Sequence, residues 1–268
     1  MTIAHQPIVS GRRQTHLKEI WRQAAIAWYF AWSDTRARYK RSVLGPFWLV
    51  LTTLIGVAGL AFVWGALLEV DKKTFVASIT VGLVLWQMIS TGITASTSIF
   101  VTNASAIKNI RTPSWRISLQ LLLTQVVNLL HNIVVVILVL FIYPQNMSSS
   151  ALLFIPGLVI VAVNLLWVIQ FLGFLGARFR DLDPLVGSLM PVLFFLTPVL
   201  YRPSDLGARA ELMQFNPLAY WVEIVRGPIL GDIPHMSAYG IAIAMAVIGW
   251  IVTFWLTAAK SDRLPYWV

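Results

Sequence analysis

The polar side chains of this sequence that could do chemistry are few, and most lie in or beside long apolar runs. Asn128, His131 and Asn132 have the i, i+3 and i+4 spacing that places three side chains on one face of a helix. Polar groups at membrane depth are functional hypotheses by default, but a proton relay needs acidic partners, and the long apolar runs contain no Asp or Glu. We therefore expect these three residues to form hydrogen bonds between helices.

Clustered acids and histidines are the other candidates for catalysis or metal binding. A membrane transferase for lipid substrates would need a buried carboxylate or a His–Asp pair near a membrane face. Only Asp34, Asp181 and Asp183 cluster on the predicted inner side, and each lies next to arginines. The chain has no Cys, and its four His are far apart. We predict neither a catalytic residue nor a metal site.

The composition is that of a membrane protein. Of the 268 residues, 58% are hydrophobic and 12% are charged, whereas soluble domains are about 25% charged. The net charge of +9 would fit nucleic-acid binding only if it formed a basic soluble face, and here the charges flank apolar runs. We therefore expect membrane lipids, and no nucleic acid, among the partners.

The apolar runs predict an all-α integral membrane fold with six transmembrane helices. A span needs about 20 apolar residues, and the longest run divides at turn residues around Pro144 and Ser149. The spans are expected near 46–68, 75–101, 118–142, 151–176, 185–200 and 239–259. The chain then divides into a cytoplasmic N-terminus at 1–45, a membrane domain at 46–259 and a tail at 260–268.

Lys and Arg set the orientation of these spans. With the N-terminus inside, fifteen of the twenty Lys and Arg residues fall on the cytoplasmic side. Both termini are therefore predicted to be cytoplasmic.

The segment before the first span, 17–40, predicts an amphipathic helix in the plane of the lipid headgroups. Its apolar positions recur every three or four residues, at Leu17, Ile20, Trp21, Ala24, Ala27, Trp28 and Ala31. Two interpretations remain open. The helix is either a simple anchor with positive-inside charges or a cytoplasmic gate that meets an anionic lipid headgroup.

The residues that follow this helix resemble a known family. Asp34 to Trp48, with Arg38, Tyr39, Arg41, Ser42 and Gly45 at its centre, resembles the signature that opens the membrane subunits of polysaccharide ABC exporters. Three later segments agree in order: Ala177 to Leu182, Phe194 to Val199 and Asn216 to Leu218. The last five residues resemble the Wzm-type subfamily, which exports O-antigen or cell-wall galactan.

The resemblance implies a homodimeric permease of the bacterial inner membrane that exports an undecaprenyl-linked polysaccharide with two separate ATPase subunits. The sequence has no G-x-x-x-x-G-K-[ST] motif, so we expect this chain to bind no cofactor, with ATP and Mg on the partner ATPase. The alternatives are a type-two ABC permease for teichoic acid, a lipid or a drug, and the lipid-substrate transferase considered above.

The resemblance also implies roles for residues on the cytoplasmic side. A gate that contacts the lipid headgroup is expected at Arg36, Arg38, Tyr39, Arg41, Ser42 and Gly45. The loop 103–116 either carries only topology-setting charge or holds a coupling helix that docks on the ATPase through Ile107, Lys108, Ile110, Arg111, Pro113 and Trp115. Arg178, Arg180 and Asp181 either cap the fourth span and pair with one another, or hold the gate or the ATPase contact.

In the family the first and fifth spans line the pore, which points to a substrate channel at Trp48, Trp64, Phe194, Phe195 and Tyr201. Aromatic faces stack on sugar C–H surfaces without fixing a register, although rings near span ends also form ordinary interfacial belts. The apolar outer loop predicts re-entrant helices that involve Asn216, Pro217, Glu223 and Arg226, with an ion pair between the last two. Close helix packing is expected at Gly56, Gly59, Gly173 and Gly176.

Overall fold

The computed structural model describes residues 9–40, 42–45, 47–67, 71–145, 149–202 and 215–268. Regular structure in these ranges is helical throughout and includes no β-strand, which confirms the all-α prediction for this part of the chain. The predicted gate residue Arg41 and most of the predicted outer loop before Phe215 lie outside the described residues.

The described part of the chain forms α-helices joined by short turns, with 3₁₀ turns at Ser149–Leu153 and Ser261–Arg263. The helices are α1 (Val9–Tyr39), α2 (Phe47–Leu67), α3 (Lys72–Ser96), α4 (Ile99–Thr102), α5 (Ala104–Ile110), α6 (Ser114–Ile142), α7 (Phe154–Arg178), α8 (Leu182–Leu196), α9 (Pro217–Leu230), α10 (Met236–Lys260) and α11 (Leu264–Trp267).

Five of these helices are long and apolar enough to cross a membrane: α2, α3, α6, α7 and α10. The expected sixth span, 185–200, corresponds to α8, which has 15 residues. At 1.5 Å per residue this helix is about 22 Å long, less than the roughly 30 Å of a bilayer core. Thr197 ends α8 because it precedes Pro198 and adopts an extended conformation. The six-span count is therefore not confirmed.

The predicted second span, 75–101, is interrupted. Helix α3 ends at Ser96, and the short α4 begins only at Ile99. The hydroxyl of Thr97, in the break, donates a hydrogen bond to the carboxylate of Asp183 at the start of α8. The break between α3 and α4 therefore lies where the Asp183 side chain binds Thr97. The apolar periodicity of the sequence does not predict this break.

Helix α3 lies at the centre of the fold, and α2 lies at its edge. In their most apolar windows 72% of α3 but only 11% of α2 is buried. Leu85 and Ile89 of α3 pack into a core with Leu165 of α7 and with Trp221 and Ile224 of α9. Helix α9 is therefore part of the packed core.

Two of the four glycines predicted to allow close packing do so within the protomer. A Cβ at Gly173 would lie 2.8 Å from the ring of Phe100, and one at Gly176 would overlap the carbonyl of Thr97. By contrast, no described atom lies within 4 Å of a Cβ built at Gly56 or Gly59. The prediction is confirmed for α7 and is wrong for α2 within a single chain.

Candidate functional site

The proposed gate helix α1 packs along α6 through its small residues. Ala27, Ala31 and Thr35 are buried on one stripe of α1, because small side chains let two helices approach closely. Two hydrogen bonds support the contact: Gln120 Nε2 donates to Asp34 at 2.8 Å, and Arg116 donates to the Gln23 side chain at 3.4 Å.

The residues of the predicted apolar stripe of α1 therefore lie in two different environments. Its alanines contact α6, whereas the side chains of Trp21 and Trp28 are 75% and 45% exposed. Tyr29 and Trp32 are exposed as well. This leaves a row of amphipathic rings on the outside of the helix, the arrangement expected at the interface of a bilayer.

The gate residues after α1 form a tight turn into α2. The backbone N–H of Ser42 donates to the Tyr39 carbonyl at 3.0 Å. Gly45 has a φ of 56°, in the left-handed region that glycine adopts without steric cost. The left-handed backbone at this turn therefore explains why the signature has a glycine at position 45.

Arg38 lines two cavities at this end of the molecule, and Arg36 lines neither. A cavity of about 280 Å³ lies between Asp34 and Arg38 of α1 and Gln120 and Thr124 of α6. A larger cavity of about 530 Å³ shares Arg38, Ser98 and Thr124 with it. The two cavities therefore adjoin each other beside the gate helix, and together with the groove described below they are called the polar passage.

The larger cavity, here called the amide chamber, is lined by polar side chains of α3 and α6 at membrane depth. The lining includes Gln87, Thr91, Thr94, Gln125, Asn128 and Asn132. Thr91 donates to Gln125 Oε1 at 2.7 Å, and Asn132 Nδ2 donates to Gln87 Oε1 at 3.1 Å. These bonds join α3 to α6.

The predicted helix-bridging role of the polar trio on α6 is confirmed only for Asn132, which reaches Gln87 of α3. Asn128 bonds within its own helix, to Gln125 at 3.5 Å. The Nδ1 of His131 lies 2.7 Å from the Val127 carbonyl, also on α6. Among the described residues of one protomer, Asn128 and His131 therefore bond only within α6.

A third cavity, here called the aromatic groove, adjoins the chamber. It has a volume of about 420 Å³, shares Thr91 and Thr94 with the chamber, and is lined by Trp86, Phe194 and Phe195. The rings of Trp86 and Phe194 lie 5.8 Å apart, and those of Phe194 and Phe195 lie 5.3 Å apart. Among these three adjoining cavities, the one that does not include Arg38 is lined by aromatic side chains.

The predicted aromatic channel set is divided in the structure. Phe194 and Phe195 line the groove. Trp64 and Tyr201 pack against a cluster around Leu200 that Phe194 also contacts. The Tyr201 hydroxyl donates to the Phe195 carbonyl at 3.3 Å, and Trp48 is 44% exposed on α2. Within one protomer, Trp48, Trp64 and Tyr201 do not line the groove, although Trp64 and Tyr201 pack in the same cluster as its residue Phe194. Helical periodicity could not separate the two sets, because it does not show how α2 packs.

The predicted coupling loop contains a short helix, α5. Arg111 ends it with a left-handed backbone, φ 51°. Lys108 and the side chain of Ile110 are exposed, the latter by 73%. Ile107, however, is buried with Phe100, Phe174 and Leu264. Among the predicted docking residues, Ile107 therefore supports the protomer itself, whereas Lys108 and Ile110 are available to a partner.

The remaining predicted docking residues lie at the start of α6. Pro113 precedes this helix, and Trp115 in its first turn is partly exposed.

Arg178, at the end of α7, and Arg180, after it, contact the C-terminal tail. Arg180 donates to the Trp267 carbonyl at 3.0 Å, and the guanidinium of Arg178 lies 5.8 Å from the Trp267 ring centroid. Asp181 is exposed. The predicted pairing of these three residues with one another is not seen among the described contacts. Sequence reasoning did not predict the contacts of Trp267 with Arg180 or of Asp183 with Thr97, since neither residue shares a helix with its partner.

On the opposite side, Asn216 joins α9 to the end of α8. Its Oδ1 accepts from the Leu218 N–H at 3.0 Å, and its Nδ2 donates to the Leu196 carbonyl and the Thr197 hydroxyl, each at 3.1 Å. Pro217 occupies the first turn of α9, where a missing N–H costs nothing.

Arg226 of α9 is buried and donates to the carbonyls of Pro198 at 2.6 Å and Tyr201 at 3.3 Å. It thus holds the segment after α8. Glu223 is partly buried one turn away, and its ion pair with Arg226 stays a prediction.

The polar residues of the passage were mostly missed by sequence reasoning, although a signal exists. Gln87, Thr91, Thr94 and Ser98 recur at i, i+4, i+7 and i+11, which is one face of α3 continued through the break. Thr124, Asn128 and Asn132 form the matching face of α6. Two polar stripes in neighbouring apolar runs predict a buried polar contact.

Comparison with known proteins agrees with this architecture. The chain is 27% identical to an "O-antigen export system permease protein RfbA" of Klebsiella pneumoniae over 239 residues, which cover 87% of this chain and 89% of that protein. A second Klebsiella pneumoniae protein of that name is 28% identical over 69% of this chain and 73% of its own length. One from Myxococcus xanthus is 23% identical over 75% and 79%.

The family model described as "ABC-2 type transporter" matches residues 27–230. The match begins within the gate helix and ends at the last residue of α9, so it covers both walls of the polar passage and the groove. The chain belongs to the ABC-2 type transporter family.

Proposed function

We propose that this chain is the membrane permease of an ABC exporter that carries a lipid-linked polysaccharide of the O-antigen class across the bacterial inner membrane. The observation that carries the proposal is the passage from Arg38 through the amide chamber to Trp86 and Phe195. All three relatives described above are named as O-antigen export permeases.

The chemistry of the passage suits an amphipathic cargo with an anionic headgroup. Arg38 at the mouth offers a positive charge to a phosphate, and the exposed tryptophans of α1 hold that mouth at the membrane interface. Beyond it, aromatic rings contact the C–H faces of successive sugars weakly and without a fixed register. Such contacts permit a polymer to slide.

Energy for transport comes from a separate ATPase in this proposal, with two ATPase subunits per permease homodimer. The exposed face of α5, with Lys108 and Ile110, provides the docking surface. The edge position of α2 supports the homodimer, because no described atom of the same chain lies within 4 Å of a Cβ built at Gly56 or Gly59.

Both termini lie in the cytoplasm in this proposal, and the undecaprenyl-linked substrate enters from that side. The contacts of Arg178 and Arg180 with Trp267 support the position of the tail, since they hold it beside the start of α8. Leu264 lies in the same cluster as Ile107 of α5. Tail and docking surface are therefore on one side of the protein.

Deletion of the gene in its native host tests the proposal. Surface polysaccharide should disappear, and lipid-linked polymer should accumulate in the cytoplasmic leaflet, with both effects reversed by a plasmid copy of this chain. Normal surface polymer with no intracellular accumulation would rule the proposal out. Loss of a teichoic acid, lipid or drug efflux phenotype in that strain would instead identify the alternative permease classes.

A further inference from the structure

A side-chain hydrogen bond ties the start of α8 to the break between α3 and α4. The hydroxyl of Thr97, in the break, donates to the carboxylate of Asp183 in the first turn of α8. Thr97 is 2% exposed, whereas Asp183 is exposed and lines the amide chamber. The bond therefore joins a buried residue to a helix end that faces a cavity.

Thr97 is fixed to the helix that carries the predicted docking residues. Its carbonyl lies against Gly176 of α7, where a Cβ would overlap it. The α4 residue Phe100 packs on Phe174 of α7, with the ring centroids 5.3 Å apart, and shares a buried cluster with Ile107 of α5. We call α4, α5 and the end of α7 the coupling unit. Because close-packed groups transmit displacement, movement of α5 reaches Thr97.

Helix α8 has far fewer buried contacts than the coupling unit. Of its 15 residues only Val186 and Met190 are buried within the protomer. Its other end places Phe194 and Phe195 in the aromatic groove. A segment with few buried contacts moves at low free-energy cost, so the position of α8 depends strongly on a bond such as that of Asp183 at its start.

This bond can open without leaving either partner unsatisfied. A threonine hydroxyl has one proton to donate, and the hydroxyl of Thr97 also lies 2.7 Å from the Thr94 carbonyl of α3. When Asp183 moves away, Thr97 donates to that carbonyl instead. The Asp183 carboxylate remains in the chamber, which Arg38 also lines. The penalty for an unsatisfied buried donor, which normally keeps such a bond closed, is therefore avoided.

We propose that Thr97 and Asp183 are positioning residues of the transport cycle and form a releasable latch between the coupling unit and α8. The closed latch, seen in this structure, keeps the aromatic groove in a fixed position relative to α5. When ATP binding by the ATPase displaces α5, the latch opens and α8 moves together with its aromatic rings. This inference rests on the proposed function, which supplies the separate ATPase.

Hydrogen exchange in the complete complex of permease and ATPase tests whether the latch opens. The readout is the exchange of the first-turn amides of α8, those of Asp183 and Leu185, without nucleotide and with a non-hydrolysable ATP analogue. We expect exchange about tenfold faster with the analogue, because opening frees this helix end. Equal exchange in the two nucleotide states of the unchanged protein overturns the proposal.

Two variants serve as comparison and control in this experiment. Thr97→Val removes the donor but keeps the side-chain shape, so the α8 amides should exchange at the fast rate in both nucleotide states. Ser96→Ala removes a neighbouring buried hydroxyl that donates to the Ile93 carbonyl of its own helix. It should keep the difference between the two states. Loss of that difference in both variants overturns the assignment of the latch to Thr97.

A second measurement separates export from ATP hydrolysis, in membrane vesicles of the native host. Thr97→Val and Asp183→Ala should each lower the polymer exported per ATP hydrolysed by about fivefold or more, while hydrolysis continues. The double variant should be no worse than either single variant, because all three remove one contact. Thr97→Ser keeps the hydroxyl and should export normally.

Three results of this measurement would overturn the proposal. The first is unchanged export per ATP in Thr97→Val, and the second is losses that multiply in the double variant. The third is a fall of export and hydrolysis by the same factor, which is the result expected of a merely structural contact.

The two levels of inference fail separately. If the deletion strain still shows surface polymer, the proposed function is wrong. If deletion abolishes the polymer while exchange of the α8 amides does not depend on nucleotide, only the latch is wrong. The amount of each variant in the membrane is measured by immunoblot. If a variant fails to insert, the exchange comparison on the unchanged protein decides the matter.

Discussion

Asp34 on α1 accepts a hydrogen bond of 2.8 Å from the Nε2 of Gln120 on α6. Both residues line the cavity at the mouth of the polar passage, together with Arg38. The contact fixes the register of the gate helix against α6. It also holds the Asp34 carboxylate against α6, while Arg38 lines the cavity.

Arg38→Gln should abolish most export without affecting membrane insertion. The side chain lines both cavities of the passage, so its charge is available to an anionic headgroup, and a charge-assisted hydrogen bond contributes about 1.5–3 kcal/mol. A loss of about tenfold or more in surface polymer is expected, measured by gel of the labelled glycan at equal permease levels.

Arg36→Gln is the matched control for this experiment. Arg36 lies two residues away on the same helix, carries the same charge and lines neither cavity. It should therefore retain export. Equal losses in the two variants would mean that only the total positive charge of the helix matters, as in a simple membrane anchor.

Phe195→Ala should slow export with little effect on stability. Its side chain lines the aromatic groove but is 64% exposed, so few protein contacts are lost. Phe195→Trp should retain activity, because it keeps an aromatic face. Leu196→Ala is the control: this neighbour is also exposed but does not line the groove. The rate at which polymer appears on the cell surface distinguishes Phe195→Ala from Leu196→Ala. Similar rates for these two variants would show that the groove is not part of the export pathway.

The sequence predicts the helical class and the position of most spans because apolar residues at membrane depth are nearly obligatory. It does not predict which face of α1 packs. Ala27 and Trp28 belong to the same apolar periodicity, yet one is buried against α6 and the other is exposed. In a membrane both faces can be apolar, so hydrophobicity no longer separates inside from outside, and side-chain size decides.

The candidate site is predicted only in part for a related reason. A role for Arg38 is an expectation from the signature, whereas the amide chamber depends on α3 and α6 placing Gln87 opposite Asn132. Likewise, Ile107 is apolar on a loop and resembles a docking residue until Leu264 is found against it. Contacts between residues this far apart in the chain require the tertiary structure.

Gly176→Ala should prevent correct packing of α7. A Cβ at this position would overlap the backbone carbonyl of Thr97, which cannot move as a flexible side chain could. Overpacking of this kind costs about 1–3 kcal/mol or more. The melting temperature of the purified permease should fall by several degrees. Gly240→Ala, where no described atom lies within 4 Å of the new Cβ, should leave it unchanged.

Leu264→Ala should weaken the coupling of transport to ATP hydrolysis. Leu264 is buried against Ile107 and Phe174, so truncation leaves a cavity under α5 and costs about 2–5 kcal/mol locally. We expect the permease to stimulate its ATPase less, as measured by phosphate release in liposomes. Tyr266→Ala, in the same tail but with its side chain 87% exposed, should behave as the unchanged protein. Full stimulation by the Leu264 variant would contradict this role of the tail.

Asp71 should make the start of α3 sensitive to acid. Its carboxylate accepts hydrogen bonds from the Thr74 hydroxyl and from the N–H groups of Thr74 and Lys73, and these hold the pKa of Asp71 below its ordinary value. Because the folded pKa is lowered, the stabilisation is complete above the unfolded pKa and is lost as the pH falls through the folded value. Hydrogen exchange of the first-turn amides, corrected for intrinsic rates, should show protection at pH 7 that declines in the acid range below about pH 5. Thr74→Val removes the largest cause of the shift and so raises the folded pKa of Asp71, and its loss of protection should be smaller and complete at a higher pH. Protection that increases on acidification would contradict the assignment of Asp71 as the cap of α3.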